Sequence, residues 1–168
     1  MQTAYRRTLA VLAVVLLSSC ATLGQVIQPP RFQVAPGRQA ELRLLPPAAG
    51  RPLGALAIRL WAEVGNPNPF GTTLTALRGD LALEGTRAAT VDFPLGLPLL
   101  AAQDTIIPFD ITINPTDVPA IAPIVARAFA GQTVDYDLVG TITVDAGLLG
   151  QPSFGPSSWL RGSVQARR

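Results

Sequence analysis

The chain has 168 residues, 48% of them apolar and 14% charged, a balance too apolar for a disordered chain and long enough to bury one core without a disulfide or metal. The formal charge of +2 is local: Arg6 and Arg7 fall in the first nineteen residues, and the remainder carries eleven Arg against eleven Asp and Glu, with no basic stripe of the kind that reads nucleic acid. Histidine is absent and cysteine occurs once, which removes Ser-His-Asp and Cys-His catalysis, most zinc sites and any intramolecular disulfide.

In chain order, "MQTAYRRTLAVLAVVLLSSC" comes first. It has a positive start at Arg6-Arg7 and an apolar run from Thr8 to Leu17 that is about half the length a spanning helix needs. Small residues then precede Cys20. This arrangement resembles a bacterial lipobox. The resemblance implies that residues 1–19 are a lipoprotein signal peptide and that Cys20 is lipidated with a diacylglycerol. Two acyl chains would give stable anchoring in the lipid bilayer. Ala21 in place of Asp implies, in a double-membraned bacterium, the outer membrane with the domain facing the periplasm. Residues 20–30 read as a tether stiffened by Pro29-Pro30, and residues 31–166 as one domain.

Within that domain, "RFQVAP" places Phe32 and Val34 on one face, and "QAELRLL" does the same for Ala40, Leu42 and Leu44. The clearest strand is "LGALAIRLWAEVGN", with Leu56, Ile58, Leu60, Ala62 and Val64 on one side. Arg59, Trp61 and Glu63 lie on the other, the period-two pattern of a half-buried strand. "TLTALRGDLALEG" predicts a further strand or pair with a bend at Gly79-Asp80. Pro94 in the next run and Pro108 in "DTIIPFDITIN" predict edge strands or bulges. The period then changes: Val118, Ile121, Val125, Ala128 and Phe129 predict a helix over 117–130. Thr116 or Asp117 would cap it, Pro119 falls in its first turn, and Gly131 lies just past its end. "TVDYDLVGTITVDA" and "SSWLRGSVQA" predict the last two strands. The expectation is a mainly β protein: an antiparallel immunoglobulin/fibronectin-III-like β-sandwich of about seven strands with one short helix. A barrel is the alternative.

The remaining feature is "EVGNPNPFGT". The only asparagines are Asn66, Asn68 and Asn114, each followed by proline. A residue before proline is pushed to extended geometry, and proline removes a ladder donor. Asn66, Pro67, Asn68 and Pro69 therefore read as a strand terminator in which the Asn side chains replace lost backbone bonds, with Phe70 returning toward the core. "VGNPNPF" followed downstream by "YDLVGTITV" resembles type-2 late embryogenesis abundant (LEA) proteins, also described as the water-stress and hypersensitive-response (WHy) domain, over residues 31–166. The resemblance implies an immunoglobulin- or fibronectin-like sandwich. It also implies a stress-protective role against desiccation, cold or heat, exercised on client proteins or membranes. The match is imperfect at Gly65, Pro94, Pro108 and Pro123, residues expected to distort individual strands.

No phosphate loop, dinucleotide fingerprint or serine-nucleophile motif is present, and Asp135 and Asp137, on one face of a strand, read as a solvated face. The expected function is a non-catalytic envelope lipoprotein with no catalytic residues, no metal and no cofactor. Its partners would be the bilayer through Cys20 and client or other envelope proteins. An envelope adaptor or ligand-binding module is the competing reading.

Overall fold

The computed structural model describes residues 27–49, 54–114 and 116–166. Eight strands follow in order: β1 (Arg31–Val34), β2 (Ala40–Leu45), β3 (Ala55–Gly65), β4 (Thr72–Leu83), β5 (Thr86–Leu99), β6 (Asp104–Ile113), β7 (Val134–Asp145) and β8 (Ser153–Ala166). One helix, α1 (Val118–Phe129), lies between β6 and β7. The protein is mainly β and sandwich-like.

One layer is built on β3, which pairs antiparallel with β6 along one edge and with β1 and β2 in succession along the other. The second layer runs β8-β7-β4-β5, antiparallel throughout. The layers are joined on one side by a short parallel pairing, Ala40–Leu42 of β2 against Val164–Ala166 of β8. On the other side β5 and β6 are edge strands, each paired on one side only. The structure is thus a sandwich stitched along one flank rather than a closed barrel, and the one parallel pairing is absent from the antiparallel expectation.

Alternation explains the core. Leu56, Ile58, Leu60, Ala62 and Val64 of β3 are buried and meet Leu74, Leu77 and Leu81 of β4, Phe109, Ile111 and Ile113 of β6, and Tyr136, Leu138 and Ile142 of β7. Each fully buried branched side chain contributes about 1.5–3 kcal/mol through the hydrophobic effect. Pro94 and Pro108 sit on those edge strands, the positions in a sheet that best tolerate a residue without a ladder donor. Pro94 stands opposite Ala76, just past a bulge at Thr75.

Two elements differ from expectation for identifiable reasons. "TLTALRGDLAL" is one strand, and Gly79 is no bend: it faces Gly140 of β7, where a Cβ would lie 2.0 Å from the Val139 carbonyl oxygen. The two glycines let β4 and β7 approach closely. Val34 and Leu44 share faces with Phe32 and Leu42 but are 39% and 67% exposed, because the alternation outlasts the layer that covers it.

Helix α1 has Asp117 as N-cap residue, without a side-chain cap bond, and Pro119 in its first turn. Gly131 follows at φ +90°, the left-handed geometry that glycine takes at a helix end. Pro123 lies inside the helix and points outward; its i−4 position is Pro119, still in the first turn. Ile121, Ile124 and Ala128 are buried and close the end of the sandwich opposite the Asn-Pro segment. Arg127 donates to the Glu84 carboxylate in the β4–β5 turn, tying the helix to that end.

Candidate functional site

The Asn66–Phe70 segment lies between the end of β3 and the start of β4. Both asparagines are buried, at 3% and 1% exposure, so every polar group they carry needs a partner. Asn66 Oδ1 accepts from the Asn68 N–H (3.0 Å) and from Asn68 Nδ2 (2.9 Å). Asn66 Nδ2 donates to the carbonyls of Phe70 (2.8 Å) and Leu99 (3.2 Å). The Asn66 N–H donates to the Gln103 carbonyl. The Asn66 amide thereby fills its two donor and two acceptor positions. It joins the β3–β4 loop to the β5–β6 loop.

Asn68 works in the other direction along the chain. The Gln28 N–H donates to Asn68 Oδ1 (2.8 Å), and Asn68 Nδ2 donates to the Gln28 carbonyl (2.9 Å). The side-chain amide thus pairs with one residue of backbone as a neighbouring strand would. Ile27 and Pro30 beside it are buried. The last part of the segment read as a tether is therefore packed on the sandwich, and the packed body extends back at least to Ile27. Pro67 is half-buried and Pro69 exposed; neither has an N–H to satisfy, and the asparagine amides do that work instead.

Phe70 does not return to the core. It is half-buried and is not among the apolar side chains packed against the buried cluster, because the chain must turn back through Gly71 before β4 begins at Thr72. Gly65 has a spatial reason: a Cβ there would lie 2.2 Å from Asp104 Oδ1, so the Asp104 carboxylate occupies the space of a side chain. Cys20 lies outside the described residues.

Three other places bear on function. An apolar cleft of about 550 Å³ opens at the helix end, lined by Leu44, Leu45, Pro46, Pro47, Leu56 and Val118 among others. A second, more polar hollow includes Asp135, Asp137 and Arg161. There Asp137 accepts from Arg161 (2.7 Å) and from the Ser158 hydroxyl, as a solvated strand face does, rather than forming an isolated carboxylate pair. On the outer face of the β3 layer Arg59 grips Asp110 with two bonds of 2.6 and 2.7 Å, and the Arg38 guanidinium lies 4.7 Å over the Trp61 ring. The Arg59 hydrogen bond holds the Asp110 carboxyl below its ordinary range. Among the described residues no group of three or more His, Cys, Asp or Glu could hold a metal ion, and no helix is long and apolar enough to cross a membrane.

The fold is shared with solved proteins. A solution structure from Arabidopsis thaliana matches with a TM-score of 0.53 at 14% identity, covering 85% of this chain and 82% of that one. A solution structure of a protein provisionally assigned as late embryogenesis abundant matches with a TM-score of 0.51 at 14% identity, covering 95% and 87%. No family model and no curated protein matches the sequence. The fold is therefore the one seen in these two solved structures, one of them LEA-assigned.

What sequence reasoning missed is the long-range half of the Asn network. The proline spacing reveals that the asparagines must bond locally. Nothing in it indicates that Gln28, forty residues earlier, is the partner of Asn68, or that Leu99 is a partner of Asn66.

Proposed function

We propose that the chain is a lipid-anchored, non-catalytic protein of the bacterial cell envelope, of the type-2 LEA/WHy kind, that shields proteins or membranes during desiccation, cold or heat stress. The observation that carries this reading is the sandwich fold shared with a LEA-assigned structure. The "VGNPNPF" motif at the end of β3 supports it as well. The anchor is supported by the charged start, short apolar run and small residues before Cys20. Absence of histidine and the solvated carboxylates favour a role without catalysis.

The mechanism is weak contact between the sandwich surface and partly unfolded clients or lipid headgroups near the anchor. Heat or freeze aggregation of a reporter enzyme tests it. The chain without residues 1–20 should reduce aggregation; performance no better than an inert protein of equal size would sink the shielding role. Changing Cys20→Ala should release the protein from membrane fractions of cells, and undiminished retention would sink the anchor.

The apolar cleft favours a second reading, a ligand-binding module. An apolar fluorophore binding at one equivalent, and weakened by Leu44→Asp at the exposed rim, would favour that reading over general shielding.

A further inference from the structure

The described chain begins at one end of the sandwich, and that end has a particular surface. Gln28 is held there by Asn68. Three loops share this end: 66–71 before β4, 100–103 after β5 and 146–152 after β7. Thr72 and Thr73 of β4 pair with Leu99 on one side and Asp145 on the other. The bases of the two flanking loops are thus about 10 Å apart, two strand spacings. The tips carry apolar side chains: Leu148 is fully exposed, Leu100 is 60% and Leu149 43% exposed, with exposed Pro69 and half-buried Phe70 on the adjoining loop. Single exposed leucines are ordinary on a soluble protein. Three on two flanking loops at one end form a surface that water penalises.

The 146–152 loop is built to hold its tip. The Gly147 N–H donates to Asp145 Oδ1 (2.8 Å), Gln151 Nε2 donates to Asp145 Oδ2 (3.1 Å), and the Ala146 N–H donates to the Gly150 carbonyl (2.9 Å). The carboxylate is spent on the loop itself, and Leu148 and Leu149 project from a fixed turn. Among the described residues, the other charges beside these loops are Arg31 and Asp104, both paired with Gly65 at the end of β3, and they form no basic cluster.

We infer that this end of the sandwich is a lipid-docking face, with Leu100, Leu148 and Leu149 seated in the interface of the bilayer that holds Cys20. The inference rests on the anchored reading above. Cys20 precedes Gln28 by eight residues, which span at most about 26–29 Å when fully extended. The Asn68 clamp therefore fixes which end of the domain lies near the membrane. The helix end, with its cleft, is removed by the length of β3, about 33–36 Å, and faces away. Contact through leucines rather than basic residues makes docking insensitive to salt and to the anionic lipid fraction.

The test uses the full lipidated chain in vesicles of phosphatidylethanolamine and phosphatidylglycerol. With Cys20 acylated, a thiol introduced by Leu148→Cys is the one that accepts an environment-sensitive fluorophore. The expected result is a blue shift, and loss of signal when lipids carry a quencher in the acyl chain, both unchanged by high salt. The same label at Gln132→Cys, exposed just past α1 on the helix end and away from the apolar cleft, should show neither. Equal behaviour at the two positions overturns the docking face. So does a label at 148 that stays in water on these vesicles but is shielded in native envelopes, which would place a protein there. Failure of the anchor is read separately: unsubstituted chain that fails to float with vesicles and accepts thiol label at Cys20. Leu148 is fully exposed, so its substitution does not disturb packing.

Discussion

The two ends of the sandwich are closed by opposite means. At the helix end, α1 lays Ile121, Ile124 and Ala128 over the core, and closure is apolar. At the other end, two buried asparagines join three chain segments by hydrogen bonds, and closure is polar. The difference teaches what each can tolerate. Apolar closure fails in proportion to the volume removed. A saturated polar network fails when one member leaves its partners buried and unpaired.

The largest expected effect is at the helix end. Ile121 is fully buried, and Ile121→Ala should cost about 2–5 kcal/mol in denaturant unfolding. A change below about 1 kcal/mol would mean that the helix covers the core without stabilising it. Next is Asn66→Ala, which orphans the Phe70 and Leu99 carbonyls and two donors of Asn68; at about 1–3 kcal/mol per buried unsatisfied group, partly relieved by water, a loss of about 2–4 kcal/mol is expected. Asn68→Ala should cost less, about 1–2 kcal/mol, because Gln28 is exposed and its backbone can turn to solvent. Its signature is local: hydrogen exchange at the Gln28 amide should accelerate while amides of α1 keep their protection. Uniform loss of protection at both ends would break the distinction between them.

The smallest effect lies on the outer face between the ends. The Asp110 carboxyl is held below its ordinary value by the Arg59 hydrogen bond. A depressed carboxyl stabilises the fold above its unfolded-state pKa of about 4, and the contribution disappears as pH falls through the lower folded value. Asp110→Asn should therefore flatten the acid limb of a stability-against-pH curve and leave neutral pH almost unchanged, since a pair this exposed contributes little. An unchanged acid limb would show that the pair contributes nothing.

Much of the architecture was legible because strand alternation is a local signal. β3 declares its buried face through five residues in sequence, and the prolines at 94 and 108 mark edge strands through a missing donor. Helix α1 was legible within a residue at each end, from its change of period and from Gly131. The Gly79–Gly140 approach was not, because the second glycine lies sixty-one residues away and only β4–β7 register brings them face to face. The Phe70 expectation failed for a related reason: aromatic character implies burial, but a turn decides where the side chain ends.

By itself the sequence determined which residues are extended, which face of each strand is apolar, and that the Asn-Pro segment must use side chains where backbone donors are missing, since these follow from bond geometry and polarity within a few residues. Only the tertiary structure decided that β2 and β8 stitch the layers together, that Asn68 takes Gln28 as its partner, and that the leucines of two distant loops share one end. Those pairings depend on strand order and register, which bring together residues forty or more positions apart.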